Sequence, residues 1–354
     1  MEWRFGSKRV EWIWISLGVV AFILLAFPIA LHLYILRYYV QVVARIFQEK
    51  PLFILPFGQP VPEAEEVELT TPDGLTLCGC YIRTAKPRKG VILFGLEFGS
   101  NRWSCVPYCE FLRDAGYDVF AFETRGQGKS TVQTGYEPLQ WVTEFEVIDY
   151  QTALAYLKGR PDRDPRGIGL FGLSKGGSAG LMVAARDPFI RCAAVDGIFA
   201  SLTTMIPYMK QWVLIYSELK WLARVVPYWY LRHIAIITIN KVEKERDCHY
   251  PRLEPCMAMF APRPLLMIHG GADNYIKPDM AKSLFDRAGE PKEFWLVDKA
   301  KHNQAFHLAN DEYKKRVLAF FDKNLANSSN PAANGTLTNK PVPADTPAVV
   351  SNLV

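Results

Sequence analysis

The sequence predicts an α/β fold with a mostly parallel central sheet flanked by helices, preceded by one transmembrane helix. Three observations lead to this prediction. Residues 168–173 are an apolar strand that runs through a Gly-x-Ser-x-Gly turn into the small-residue helix 178–185. Two later apolar strands are each followed by a residue suited to catalysis, an aspartate and a histidine. Near the N-terminus, residues 12–36 form an almost wholly apolar run.

The turn Gly172-Leu173-Ser174-Lys175-Gly176 carries the first candidate catalytic residue. A serine between a strand and a helix sits on a strained, tight turn that exposes its Oγ. The two glycines remove Cβ atoms that would collide across that turn. The turn also points the backbone N–H of Lys175 at any oxyanion that forms on Ser174. The pattern therefore predicts a nucleophile elbow.

A serine nucleophile needs a base, and the base needs a carboxylate that fixes its tautomer. Asp273 follows an apolar strand and a Gly-Gly turn, and His302 lies in the loop after the last predicted strand. Both positions are at the carboxyl ends of strands, where open α/β sheets bind ligands. His307 is the alternative base, and Asp196, at the end of an earlier strand, is the alternative acid.

Residues 67–325 resemble the α/β-hydrolase superfamily, specifically its serine-aminopeptidase-like and dienelactone-hydrolase-like branches of small esterases. Besides the elbow, residues 118–130 are similar to the family's strand 4 and its Arg-Gly-x-Gly-x-Ser turn. Residues 150–157 are similar to the helix before the elbow strand, and residues 311–321 to the closing helix. The resemblance implies the α/β-hydrolase fold.

In this superfamily the triad residues follow the chain order Ser, Asp or Glu, His. The resemblance therefore implies Ser174 as the nucleophile, Asp273 as the acid and His302 as the base. It also implies two backbone oxyanion donors, of which the N–H of Lys175 is the first.

The loop that should supply the second oxyanion donor departs from the family pattern. After strand 3 the family usually carries His-Gly-x-Gly, whereas this chain has Leu96-Glu97 at the His-Gly position. The resemblance implies that the N–H of Phe98 is the donor. A buried, unpaired carboxylate beside a developing negative charge is costly. We therefore expect the Glu97 side chain to turn away and to pair with Arg102. The alternative is that its carboxylate faces the oxyanion site and weakens the hole.

The N-terminal apolar run predicts a single transmembrane helix. From Trp12 to Leu36 the only strongly polar residue is His32. As a helix this run is about 37 Å long, which exceeds the ~30 Å hydrocarbon core. Aromatic residues mark both ends, as at membrane interfaces, and no signal-peptide cleavage site is evident. Arg37 and Arg45 continue a polar helix face, so we expect the helix to continue along the membrane surface.

The two ends of the span carry equal numbers of positive charges. The charges therefore do not indicate on which side of the membrane the hydrolase domain lies. The predicted organisation is a transmembrane and interfacial helix 1–50, a linker 51–66, a hydrolase domain 67–326 and a disordered tail 327–354. Removal of residues 1–50 should leave a folded domain.

An insertion within the domain, residues 201–258, is longer than a crossover needs and predicts a helical cap. Tyr208, Trp212 and Tyr216 share one helix face in this cap. That face either packs as the core of the cap or forms a lid that shapes an acyl pocket.

Composition excludes several other classes of protein. The net charge of +5 is spread along the chain, which suits a protein near anionic lipid and gives no nucleic-acid footprint. Seven cysteines, an odd number spread from Cys78 to Cys256, do not make a small disulfide framework. No Cys/His cluster has zinc spacing. We expect neither a metal nor a cofactor, and the oligomeric state stays open.

These observations predict a membrane-anchored serine hydrolase, a carboxylic ester hydrolase that acts through an acyl-enzyme on Ser174. The expected partners are a small ester with an apolar acyl group and the lipid bilayer. A peptidase or a thioesterase would use the same triad, because a fold does not determine the substrate. A non-catalytic, membrane-tethered scaffold with this fold is the alternative from another class.

Overall fold

The computed structural model describes residues 3–50, 58–216 and 225–326; the predicted tail and most of the predicted linker lie outside these ranges. Its strands are β1 (Glu65–Thr70), β2 (Thr76–Ile82), β3 (Gly90–Gly95), β4 (Tyr117–Phe122), β5 (Ile168–Leu173), β6 (Ile190–Asp196), β7 (Leu265–Gly270) and β8 (Lys292–Val297).

Its helices are α1 (Trp3–Tyr34), α2 (Val40–Phe47), α3 (Val106–Asp114), α4 (Glu144–Gly159), α5 (Ser174–Ala184), α6 (Ser201–Tyr216), α7 (Tyr228–Arg246), α8 (Leu253–Phe260), α9 (Pro278–Phe285), α10 (Ala305–Leu308) and α11 (Asn310–Phe321). A π-helical turn, Ile35–Tyr39, joins α1 to α2. A short helical turn at Arg102–Cys105 precedes α3, and another at Asp322–Ala326 follows α11.

The strands form one sheet in the order β1-β2-β4-β3-β5-β6-β7-β8. β2 pairs antiparallel with β1 and β4, and the remaining pairs are parallel. Strands β3, β4 and β5 are buried along their whole length, because apolar clusters beneath helices cover both faces of the sheet. Burial on both faces explains why these strands are continuous apolar runs in the sequence. The predicted fold class is confirmed.

Helices α6 and α7 form the predicted cap, and a third apolar cluster fills the space between this cap and the sheet domain. Helix α2 contributes its whole buried face to that cluster: Val40, Val43, Ala44 and Phe47. The ring of Phe47 stacks on Trp141 with 4.6 Å between centroids, and Trp141 Nε1 donates a hydrogen bond of 2.8 Å to the Phe47 carbonyl oxygen.

The segment Glu11–Phe47 is long and apolar enough to cross a membrane, with a mean hydropathy of 2.5 in its most apolar window. Its two halves differ. The first half is exposed, whereas α2 is packed into the domain. The prediction that the helix continues along the membrane surface is therefore wrong for α2. A deletion of residues 1–50 would remove part of the core, so the separable segment ends near residue 30.

Candidate active site

The predicted nucleophile is the first residue of α5, directly after β5. Ser174 has φ = 47°, in the left-handed region that costs a non-glycine residue backbone strain. A Cβ on Gly172 would overlap the Cα of Gly177, and a Cβ on Gly176 would overlap the carbonyl oxygen of Leu96. Both glycines are therefore required by close backbone approach, which is the local geometry predicted for the elbow.

The structure brings Ser174, His302 and Asp273 together in one hydrogen-bonded chain. Ser174 Oγ lies 3.1 Å from His302 Nε2, and His302 Nδ1 lies 2.7 Å from Asp273 Oδ2. Because a carboxylate only accepts, Nδ1 carries the proton and donates to Asp273. Nε2 is then free to accept the proton of the serine hydroxyl.

The loop after β7 holds Asp273 firmly. Its Oδ1 accepts hydrogen bonds from the backbone N–H groups of Tyr275 at 2.7 Å and Ile276 at 2.8 Å. His269, within β7, donates from Nε2 to the Ile276 carbonyl oxygen at 2.7 Å, and burial lowers the pKa of its imidazole. This neutral histidine supports the loop without adding charge.

The alternative residues lie elsewhere. His307 lies on the exposed side of α10, and its ring contacts those of Tyr108 and Phe306 edge-on. Asp196 Oδ2 accepts a hydrogen bond of 3.1 Å from the Tyr313 hydroxyl, and Asp273 is the carboxylate hydrogen-bonded to His302. Burial raises the pKa of Asp196 to about 7.

The predicted pair between Glu97 and Arg102 is wrong. Buried Arg102 contacts both carboxylate oxygens of buried Glu123 at 3.3 Å, and its Nη2 donates to Glu66 at 2.7 Å. A buried guanidinium needs a buried carboxylate to balance its charge, and Glu123, at the end of β4, meets that need. The sequence analysis did not consider this residue.

Glu97 instead faces the loop that carries His302. Its Oε2 accepts a hydrogen bond of 2.5 Å from Asn303 Nδ2. Asn303 has φ = 53°, so the residue directly after His302 is held in the left-handed region. Burial raises the pKa of Glu97, while the Asn303 hydrogen bond and the charge of a protonated His302 oppose that rise.

The two predicted oxyanion donors come from adjacent segments. Lys175 is the second residue of α5, and the first N–H groups of a helix have no partner within it. The loop that carries Phe98 follows β3, which pairs in parallel with β5. The Glu97 carbonyl oxygen of that loop accepts a hydrogen bond of 2.8 Å from Ser100 Oγ. That both N–H groups bind an oxyanion stays a prediction.

The side chain of Lys175 makes a contact that the sequence analysis missed. Its buried ammonium donates to Glu146 Oε1 at 2.8 Å and to the Leu139 carbonyl oxygen at 2.6 Å. Although burial raises the pKa of Glu146, the Lys175 ammonium holds it below its ordinary value. Thr143-x-x-Glu146 is a capping-box pattern, so Glu146 could have been recognised as a helix cap, but its ion pair with the elbow could not.

Comparisons with known proteins identify the family. The family model of the prolyl oligopeptidase family matches residues 103–328. The protein YfhR of Escherichia coli (strain K12) is 27% identical over 271 residues, which cover 75% of this chain and 82% of YfhR.

Two further comparisons cover different parts of the chain. The thiohydrolase aneE of Aspergillus aculeatus is 30% identical over 141 residues, covering 38% of this chain and 43% of aneE. The solved structure of the Pyrococcus furiosus esterase Pf2001 has a TM-score of 0.58 and 22% identity, covering 78% of this chain and 98% of that one. That likeness shows the fold, and the predicted resemblance to α/β-hydrolases is confirmed.

The family model spans well over half of the chain and includes the loops of all three triad candidates. The chain therefore belongs to the prolyl oligopeptidase family, a family of hydrolases with the α/β-hydrolase fold.

Proposed function

We propose that this protein is a membrane-anchored serine hydrolase that cleaves carboxylic esters with an apolar acyl group. The observation that carries this proposal is the chain of two hydrogen bonds from Ser174 Oγ through His302 to Asp273. A serine, an imidazole and a carboxylate in this arrangement form the machinery of acyl transfer to a hydroxyl group.

In this proposal each residue carries out one step. His302 Nε2 takes the hydroxyl proton while Ser174 Oγ attacks the ester carbonyl carbon, and Asp273 stabilises the imidazolium that forms. The imidazolium then gives its proton to the alcohol oxygen as the carbon–oxygen bond breaks. In the second half, His302 takes a proton from a water molecule as the water attacks the acyl carbon. The imidazolium then returns this proton to Ser174 Oγ as the acyl–Oγ bond breaks and the acid leaves. The N–H groups of Lys175 and Phe98 would hold the oxyanion in both halves of the reaction.

The cap supports an apolar acyl group as substrate. Tyr208 and Trp212 of α6 stack with 6.0 Å between ring centroids, and the Tyr208 hydroxyl donates to the Tyr275 carbonyl oxygen. The ring of Tyr275 lies edge-on to that of His302 at 5.1 Å. Aromatic side chains of the cap thus reach the loop that carries Asp273 and Tyr275, beside the triad, where an acyl chain of the substrate would lie.

The anchor in this proposal is the exposed, apolar part of α1. From Trp12 to Phe27 its large hydrophobic side chains are more than half exposed, and a soluble helix rarely leaves so large an apolar surface in water. A membrane span accounts for that exposure.

Thioester hydrolysis is the second candidate function, and one observation favours it. The thiohydrolase aneE matches this chain over 141 residues. The triad would treat a thioester in the same way, with a thiolate as the leaving group, which needs less help from the His302 proton than an alkoxide does.

Fluorophosphonate labelling of the full-length protein tests the serine-hydrolase proposal. We expect the wild type and Ser283→Ala to be labelled and Ser174→Ala to be unlabelled, because Ser283 is an exposed serine on α9, outside the elbow. Ester turnover should fall by about 10⁴-fold or more in Ser174→Ala alone. Turnover within about tenfold of wild type in that variant would refute the role of Ser174.

The substrate class is tested with matched acyl chains on a p-nitrophenyl ester, a thioester and an anilide. We expect the highest kcat/KM for the ester with a long acyl chain. Preference for the thioester would move the assignment to the second candidate, and turnover of none of the three would favour a scaffold.

A further inference from the structure

The apolar part of α1 begins after the charged residues Lys8, Arg9 and Glu11. Residues 11–30 are exposed apart from the half-buried Ala26, and contact with the rest of the protein begins at Leu31 and His32. These roughly 20 residues make a helix of about 30 Å, which matches the thickness of a bilayer's hydrocarbon core. If α1 spans a membrane, His32 therefore lies at the membrane interface, and whatever His32 touches lies there too.

His32 touches the start of α7 in the cap. Its Nδ1 lies 2.9 Å from the Tyr230 hydroxyl, and its ring stacks on that of His233 with 6.1 Å between centroids. The first turn of α7 is thereby fixed at the depth of the interface, within a few ångströms of the point where the span ends.

That same part of the cap carries large, exposed apolar side chains. Val225 is 60% exposed, Tyr228 54%, Trp229 68% and Ile215, near the end of α6, 68%. We call these four residues the cap rim. Single exposed apolar residues are ordinary on a protein surface, but four of them, two aromatic, at the level where a span ends are typical of a membrane interface.

Positively charged side chains near the cap rim favour lipid as its binding partner. Arg37 in the turn after α1, Lys210 on α6 and Arg232 on α7 are exposed. Lys210 lines the same groove as Tyr228 of the cap rim, and Arg232 lies one helical turn after Tyr228. Basic side chains at this depth attract anionic headgroups, while the aromatic rings between them fit the boundary between headgroups and acyl chains.

A groove lies beside the cap rim. Its volume is about 300 Å³, and it is lined by Ile206, Pro207, Lys210 and Gln211 of α6, by Tyr228 of the cap rim, and by Lys277, Asp279 and Met280 near the start of α9. Lys277 is the last residue of the loop that follows β7, and Asp273 lies four residues earlier in that loop. The groove therefore reaches the far end of the loop that carries the triad acid.

We propose that the cap rim is a second membrane contact, seated in the lipid leaflet where α1 ends, and that the substrate enters from that leaflet through this groove. Entry of the substrate through the groove rests on the proposed function, because it requires the triad to be active. The membrane contact does not, because it follows from the length of the exposed helix and the contact of His32.

Depth measurement in vesicles tests the membrane contact. The full-length protein is reconstituted in phosphatidylcholine with phosphatidylglycerol, and an NBD maleimide is attached to Trp229→Cys or to the control Met259→Cys. Met259 is also exposed but lies on α8, which leads to the amino end of β7, the opposite edge of the sheet. All native cysteines except the half-buried Cys78 are buried, so labelled wild type supplies the background.

We expect the label at position 229 to emit as in a membrane interface and to be quenched by lipids that carry a spin label near the headgroup. The label at position 259 should emit as in water. Equal, water-like emission at both positions would overturn the proposal. That result would indicate a protein partner for the cap rim instead of lipid. This measurement is made on the Ser174→Ala background, so it does not depend on hydrolysis.

Kinetics test the entry route. The double variant Ile215→Asp, Trp229→Asp should cleave a short, water-soluble ester at a rate within about twofold of wild type. It should cleave a long-chain ester dissolved in the same vesicles about tenfold more slowly than wild type. Equal effects on both esters would refute entry from the leaflet. If wild type cleaves neither ester, the proposed function fails, while the depth measurement still decides the membrane contact.

Discussion

Two carboxylates at the ends of neighbouring strands differ in their hydrogen-bond donors. Asp196 ends β6, and Asp273 follows β7; both are almost fully buried. Asp273 accepts two backbone N–H bonds and one from His302. Asp196 accepts one hydroxyl bond, and within the described residues its Oδ1 has no partner. Burial and strand position are alike in the two residues. The backbone N–H groups of the loop after β7 are what distinguish Asp273, because they stabilise its carboxylate beside the imidazole of His302.

The largest expected effect separates these two carboxylates in catalysis. Asp273→Asn should lower kcat by about 10⁴-fold, because an amide that donates to Nδ1 holds His302 in the wrong tautomer. Asp196→Asn should lower kcat by less than about tenfold, since its partner is Tyr313. The measurement is kcat on a soluble ester, with thermal unfolding as the control for folding. A larger loss in Asp196→Asn at equal stability would reverse the comparison.

The second expected effect is on stability. Burial raises the pKa of Asp196 from 3.8 to about 7, so between these values the folded state holds a proton that the unfolded chain has lost. This group's contribution to stability is therefore complete below pH 3.8 and is lost as the pH rises toward 7. Its slope is at most about 1.4 kcal/mol per pH unit.

Urea unfolding at pH 5, 6 and 7 measures this slope. The free energy of unfolding should fall with pH more steeply in wild type than in Asp196→Asn, which cannot titrate. Burial also raises the pKa of Glu97, so Glu97→Gln is measured in parallel to separate the two groups. Parallel curves for wild type and Asp196→Asn would mean that Asp196 is ionised throughout.

A third prediction concerns Glu97, which stands next to the predicted oxyanion donor but bonds to Asn303 beside the base. Glu97→Ala should lower kcat by about tenfold by releasing the loop of His302, and Glu97→Gln, whose amide oxygen can still accept from Asn303, should recover most of it. An increase of kcat above about tenfold in Glu97→Gly would instead show that the carboxylate opposes the oxyanion.

The smallest expected effect comes from Tyr313→Phe. The Tyr313 hydroxyl is the hydrogen bond that lowers the pKa of Asp196 against the effect of burial. Its removal should raise that pKa further, so the loss of stability with pH should extend to higher pH than in wild type. Urea unfolding between pH 6 and 8 measures this. An unchanged curve would mean that the hydroxyl does not stabilise the carboxylate.

The elbow and the order of the triad could be predicted because each depends on a local pattern. Ser174 needs only a strand, two glycines and a helix, and Asp273 and His302 need only the end of a strand. The partner of Arg102 could not be predicted, because Glu123 reaches it from another strand and only burial shows which carboxylate balances the charge.

The environment of α2 illustrates the same limit. Val40, Val43, Ala44 and Phe47 repeat with helical spacing, and Arg37 and Arg45 face the other way. This pattern predicts an apolar face but not what covers it, since lipid and the side of a protein cap are equally apolar. Only the contact with Trp141 distinguishes the two.

The place of Phe47 in the core also fixes an order of events in biosynthesis. Phe47 precedes the partners of its cluster in α6 and α7, which are made some 150 to 200 residues later. If α1 spans a membrane as proposed, it would be in the bilayer by then. The core beneath the cap would then be assembled at the membrane surface around a helix that was made first. A chain that failed to insert would have to complete this core with its apolar span still exposed to water.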